Sequence, residues 1–310
     1  MIADWVAASV RARGMVARRV GRAGSDRIAA CHSFDDALMS LDGSVYGGRL
    51  DGVSTLSEAQ RVINATVLWQ LRVLAGWMPA TGINLVTAAA AGFEAVNIER
   101  LAQRLTGRGD EAVFYELGAL ATAWPAVSET TSLSDLSTAL RASRWGDLGT
   151  LNDADDLADV LTAAWLQRLM LAAPAVRPWA VTEFVLIAAR ILFVDRAEPT
   201  ARFAQIVRPS IAEAWKSTHD LTTFAAALPR SARAVIADVD APIDLWRAEM
   251  RLATTVEEGG ARLLRTSIPG PDVILGTIAL LAVDAWRVRA ALSSAAAAAA
   301  AADGSVDVVA

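Results

Sequence analysis

"NLVTAAAAGFEAVNIERLAQRLTGRG", residues 84–109, reads as one long helix followed by its stop. Alanine and leucine, both strong helix formers, dominate it up to Leu105. It then closes at Thr106-Gly107-Arg108-Gly109, where glycine permits the left-handed turn that ends helices. The same grammar recurs on both sides. Upstream, Ile2, Trp5, Val6, Val10, Val16 and Val20 lie near helical spacing with Arg11, Arg13, Arg18, Arg19 and Arg22 largely between them. This predicts a packed first helix with a solvated basic face; a membrane-surface or targeting helix is the alternative. Thr55-Leu56-Ser57-Glu58 has the form of a capping box and predicts a helix running to Gly76, before Pro79.

Downstream, Ser132-Leu133-Ser134-Asp135 opens a helix that Gly146 is placed to stop. Residues 153–170 and 176–194 form a pair joined near Pro174, and two further helices are predicted over residues 243–258 and 271–302. The alanine run over residues 295–302 has high helix propensity but little to pack, so an extension fraying into a disordered tail is expected. No run of alternating apolar residues argues for a sheet. Long helices with short connections predict an all-α chain of helical hairpins packed as bundles.

The chain has 310 residues, 54% hydrophobic and 20% charged, enough to bury a large core. A formal charge of -5 argues against a general nucleic-acid binder, whose affinity rests on many basic phosphate contacts. Cys31 is the only cysteine, so neither an internal disulfide nor a cysteine-based zinc site is expected. The start, Met-Ile-Ala-Asp-Trp, does not resemble a signal peptide. The apolar run over residues 273–283 is about half the roughly 20 residues that a spanning helix needs.

Chemistry-bearing residues are few. Lys216 is the only lysine, and Lys216-Ser217 lacks the glycines that let a phosphate loop wrap its ligand. Cys31-His32 with Asp35 and Asp36 places a nucleophile and base side by side, where adjacent side chains seldom share the geometry of a dyad. Ser217, His219 and Asp220 carry hydrolase residue types without a nucleophile elbow. Asp153, Asp155, Asp156 and Asp159 gather at a helix start, where acidic side chains suit the positive end of the dipole. They lack the glycine and terminal glutamate of a calcium loop. Ten tryptophans are dispersed along the chain, as core and interface anchors are. No catalytic residue, cofactor or metal is therefore expected.

The order of features carries a resemblance. An arginine-rich first helix, "ASVRARGMVARR", leads to "FDDALMSLDGSVYGGRL" and, two helices later, to "FEAVNIERLAQRLTGRGDEAVFYELGAL". Phe34, Ala37, Leu38, Ser44, Val45, Tyr46, Gly47 and Gly48, then Glu94, Asn97, Ile98, Arg104, Thr106, Gly107, Arg108, Glu111, Gly118 and Leu120, follow a family pattern. The chain resembles the C subunits of prokaryotic V/A-type rotary ATPases, whose eukaryotic V-ATPase counterparts are the d subunits, most closely over residues 7–120. Beyond that the pattern thins. Glu183 and Arg190 are placed to close a second repeat, with Leu186 where the family often has Asn; Asp284, Arg287 and Arg289 are placed to close a third.

The resemblance implies a funnel of three related helical repeats, here 1–110, 111–197 and 198–295, with an Ala-rich extension and tail at 296–310. It implies a non-catalytic central-stalk rotor part, held peripherally on the cytoplasmic membrane face. Its partners would be the D and F proteins of the central shaft and the membrane proteolipid ring, for ATP-linked proton or sodium transport. Arg104, Arg190 and Arg289 are expected to pair with Glu94, Glu183 and Asp284. A free helical adaptor of the same fold is the alternative, and a helical hydrolase built on Ser217, His219 and Asp220 a third reading.

Overall fold

The computed structural model describes residues 2–108, 113–149 and 154–302. In chain order its helices are α1 (Ile2–Val16), α2 (Gly21–Ala29), α3 (Phe34–Met39), α4 (Leu56–Ala75), α5 (Ile83–Leu105), α6 (Trp124–Val127) and α7 (Leu133–Arg141). Then follow α8 (Ala154–Ala172), α9 (Arg177–Ala189), α10 (Ala201–Ile211), α11 (Leu221–Ala227), α12 (Arg230–Arg233), α13 (Leu245–Leu264) and α14 (Pro271–Ala302). No strand occurs among the described residues, and the chain is all-α.

Several helices start and stop for the reasons the sequence suggests. Thr55 Oγ1 accepts the Glu58 amide at 3.2 Å at the head of α4, and Ser132 Oγ accepts the Asp135 amide at 3.1 Å before α7. Gly107 closes α5 at φ +72°, with the Arg108 amide reaching back to the Gln103 carbonyl at 3.0 Å. Helix α7 stops at Arg141, short of the expected Gly146, and the first helix is also shorter than expected. It ends at Val16, and Val20 instead precedes α2, whose first residue Gly21 sits at φ +70°, where a side chain would be strained. Helix α9 continues into a π turn over Arg190–Val194. Of the acidic group, Asp153 and the side chains of Asp155 and Asp156 lie outside the described residues, as does the tail beyond Ala302.

Contacts divide the chain into two compact units. One comprises residues up to Gly82 and those from Glu257 onward. Its spine is α14, against which α1, α2, α3 and α4 all pack. Small residues allow α13 and α14 to approach closely: a Cβ on Gly276 would stand 2.5 Å from the Gly260 carbonyl oxygen.

The other unit is the continuous stretch Ile83–Val256, organised on the pair α5 and α8. There the Trp165 indole lies against Gly92, where a Cβ would be 3.0 Å from the ring, and donates to the Ala88 carbonyl at 3.0 Å. The sequence pattern does not reveal the short helices α10, α11 and α12, of which α10 and α11 meet at Trp215. Its ring is fully buried and meets Phe203 and Phe224 edge-on, each at 6.3 Å. The packing units follow contacts, whereas the expected divisions 1–110, 111–197 and 198–295 follow repeated motifs. No described helix is long and apolar enough to cross a membrane.

Candidate functional site

Helix α6 begins at Trp124 without a capping side chain of its own, although the free N–H groups at a helix start must find acceptors. Glu94, on α5 and fully buried, supplies them. Its Oε1 accepts the backbone amides of Thr122, Ala123 and Trp124 at 2.7, 2.8 and 2.9 Å. Its Oε2 takes the Thr122 hydroxyl and, at 2.9 Å, the Trp145 indole N–H. Burial alone would raise the Glu94 carboxyl; the Thr122 hydroxyl and the three amides outweigh it and hold the group below its ordinary value. Arg168 completes the centre, stacked 4.7 Å over Trp145.

One turn further along α5, Asn97 grips the same incoming chain at two points. Its amide donates to the Tyr115 carbonyl at 2.9 Å and accepts the Tyr115 N–H at 2.7 Å.

The first unit repeats the device. Helix α2 also lacks a capping side chain, and Asp284 on α14 takes its place. Asp284 Oδ1 accepts the Gly21 amide at 2.7 Å, and Oδ2 accepts the Val20 amide at 3.2 Å and the Tyr46 hydroxyl at 3.0 Å. Tyr46 is fully buried, and burial and the neighbouring carboxylate both raise its phenol well above its ordinary value.

Residues 33–47 and 132–146 align without a gap: Ser33 with Ser132, Asp36 with Asp135, Leu41 with Leu140, Ser44 with Ser143, Tyr46 with Trp145 and Gly47 with Gly146. The local geometry agrees. Ser33 and Ser132 each cap a helix, and the Tyr46 and Trp145 amides each donate at 3.1 Å to the hydroxyl two residues before. Each aromatic then donates its one polar hydrogen to the capping carboxylate. This internal correspondence is not among the sequence motifs given above; a gapless comparison of the two serine-led segments is its signal.

Other residues of the sequence motifs fall differently. Gly47 lies where a Cβ would come within 2.4 Å of the Asp42 carbonyl oxygen, so close backbone approach demands it; Gly48 is exposed with open space around it. Phe34 is the half-buried first residue of α3.

The expected pairings of arginine with repeat-closing acid are corrected. Arg104 stacks 5.1 Å over Phe114, Arg289 donates to Asn64 at 3.0 Å, and Arg190 bonds Asp159 and Asp195. Glu94 and Asp284 prefer backbone amides because a buried helix start offers several aligned donors to one carboxylate. Arg287 instead bonds Glu257 at 2.6 Å.

The Glu183 side chain has no hydrogen bond among the described residues. Burial and the nearby Glu249 push its carboxyl up to about 7, against the opposing charge of Arg190 and with Asp159 adding to the rise.

Neither capping carboxylate is arranged as a base, since its lone pairs already hold N–H and O–H donors. His219 and Ser217 are exposed, and Asp220 caps α11 by accepting the Thr223 amide at 2.8 Å. Cys31 Sγ contacts the Arg27 carbonyl at 3.5 Å, and His32 is exposed. Among the described residues no three His, Cys, Asp or Glu side chains gather to hold a metal. Compared with known proteins, the chain matches no family model and no curated protein sequence.

Proposed function

We propose that the chain is the non-catalytic central-stalk component of a V/A-type rotary ATPase, joining the shaft to the membrane proteolipid ring. The observation that carries this reading is the duplicated capping carboxylate. The residues that supply it, Tyr46 with Asp284 and Glu94 with Trp145, include the motif positions on which the resemblance rests. A part that transmits torque needs helices fixed to one another by contacts that resist sliding. A carboxylate holding several converging donors does this better than a single exposed ion pair, worth about 0–1 kcal/mol. On this reading the partners are the D and F shaft proteins and the ring, on the cytoplasmic membrane face, and the ring transports protons or sodium ions. Affinity purification of the tagged full chain from gently solubilised membranes tests it. Recovery of the D, F and proteolipid components is expected; a chain that emerges without any of them refutes the assignment.

One observation favours a second reading, a free adaptor of the same fold. Glu183, at the place corresponding to Glu94 and Asp284 in the motif, makes no hydrogen bond of the kind that anchors the other two. A soluble complex with other proteins, recovered in place of the rotary components, would select it.

A further inference from the structure

The first unit contains a hollow that neither capping carboxylate uses. It encloses about 600 Å³ between the chain leaving α1, helix α2 and the turn after α3. Its lining includes Arg18, Arg19 and Arg27, and, from the turn, Ser40, Gly43 and Ser44. Among the described residues no acidic side chain lines it; Asp26 and Asp42, adjacent in sequence to lining residues, are not part of the wall.

The three arginines are poorly neutralised. Arg19 approaches Glu257 only to 3.8 Å, and that carboxylate is held more closely by Arg287 at 2.6 Å. Arg18 and Arg27 are exposed and form no ion pair among the described residues. Three positive residues on the wall of one concave surface, with little opposing charge beside them, raise a positive potential there that an anion lowers. Ser44 Oγ accepts the Tyr46 amide at 3.1 Å and so keeps its own proton for an incoming acceptor, whereas Ser40 already donates to the Ala37 carbonyl at 2.7 Å. Gly43 has nothing within 4 Å of a Cβ position, leaving backbone accessible at the rim. The volume falls within the roughly 300–1,000 Å³ of small-molecule sites.

We infer that this hollow binds a phosphate-bearing group, on a soluble compound or on a lipid headgroup. Guanidinium forks match phosphate oxygens in pairs, and a tetrahedral anion can engage more than one of them together with a hydroxyl. A concave, half-enclosed wall suits such a compact group.

The test uses the full chain in three forms: unaltered, Arg18→Gln with Arg27→Gln, and Arg11→Gln. Arg11 is an exposed arginine of α1 that does not line the hollow. Inorganic pyrophosphate is titrated calorimetrically, and flotation is measured with phosphatidylcholine vesicles with and without phosphatidic acid. The unaltered chain is expected to bind pyrophosphate, to float only with phosphatidic acid, or both. Pyrophosphate binding alone assigns a soluble source, and flotation alone a headgroup. The double variant should lose about tenfold or more in affinity, the scale of losing charge-assisted hydrogen bonds at an exposed site, and Arg11→Gln should lose none. Should the double variant fail to fold, amide resonances of the unaltered chain decide: bound pyrophosphate must shift Gly43 and Ser44. No binding to either probe, equal loss with Arg11→Gln, or binding that leaves those amides unmoved overturns the inference.

Discussion

Replacing Glu94 by alanine is expected to cost about 4 kcal/mol of stability. The Ala123 amide and the Trp145 indole N–H make their bonds to Glu94 fully out of water, and truncation leaves both without an acceptor. An orphaned buried donor costs about 1–3 kcal/mol, or about 2 for each of these. The Thr122 and Trp124 amides are only part-buried, so water can satisfy them and they add nothing to the sum. Set against a typical domain stability of about 5–15 kcal/mol, the loss is severe. Glu94→Gln should cost about half as much. Its carbonyl can still receive the three amides, but its NH₂ then faces the Trp145 donor. Trp145→Phe removes that donor, so Glu94→Gln with Trp145→Phe should be more stable, by about 1 kcal/mol, than the two single losses added. Urea unfolding followed by circular dichroism measures the total. Because two compact units need not unfold together, amide exchange at residues 122–124 supplies the local reading. A Glu94→Ala protein within about 1 kcal/mol of the unaltered chain, or strictly additive single losses, would refute the capping argument.

Tyr46→Phe keeps the ring and removes only the hydrogen bond to Asp284, so a loss of about 1–2 kcal/mol is expected in thermal unfolding; no change would mean the bond contributes nothing. Gly47→Val should cost about 3 kcal/mol or prevent folding, because its Cβ meets the Asp42 backbone, which cannot swing away as a side chain can. Gly48→Ala, in open space, is the matched control and should melt within a degree or so of the unaltered protein. Glu183 gives a pH test. With its folded value near 7 and its ordinary value at 4.5, the folded protein holds a proton between them that the unfolded chain has released. Stability contributed by this group therefore falls as pH rises through that window, and Glu183→Gln should stabilise by about 2 kcal/mol at pH 8 and far less near pH 5. Equal effects at both pH values would remove the burial argument. Glu94 has the opposite sign: its folded value is lowered, so its contribution is present above its ordinary value and is lost as pH falls through the folded one.

Much of the fold was legible because several helices announce one of their own ends. Thr55, Ser132 and Gly107 each act within a few residues of the boundary they set, so the chemistry is local and readable. The capping carboxylates were hidden for the opposite reason. Their partners are backbone amides far away in sequence, and every residue except proline carries such a donor, so nothing in composition marks these ones. Charge alone points instead to Arg104, Arg190 and Arg289, which the structure engages elsewhere. A clue lay in what α2 and α6 lack, a Ser, Thr, Asp or Asn at the start. Helices α10 to α12 were missed because they are short, and Pro209 inside α10 breaks the expected pattern. Trp215 compensates by burying its ring between α10 and α11.

The bond from Asp284 to Val20 and Gly21 also sets an order of events during synthesis. A ribosome releases the stretch Ile83–Val256, a complete packing unit, before it releases α14. At about 5–20 residues per second the opening helices therefore wait many seconds for the spine they pack on, with α2 still uncapped. The continuous unit can reach its final form first, and α1 and α2 only once α14 has been made.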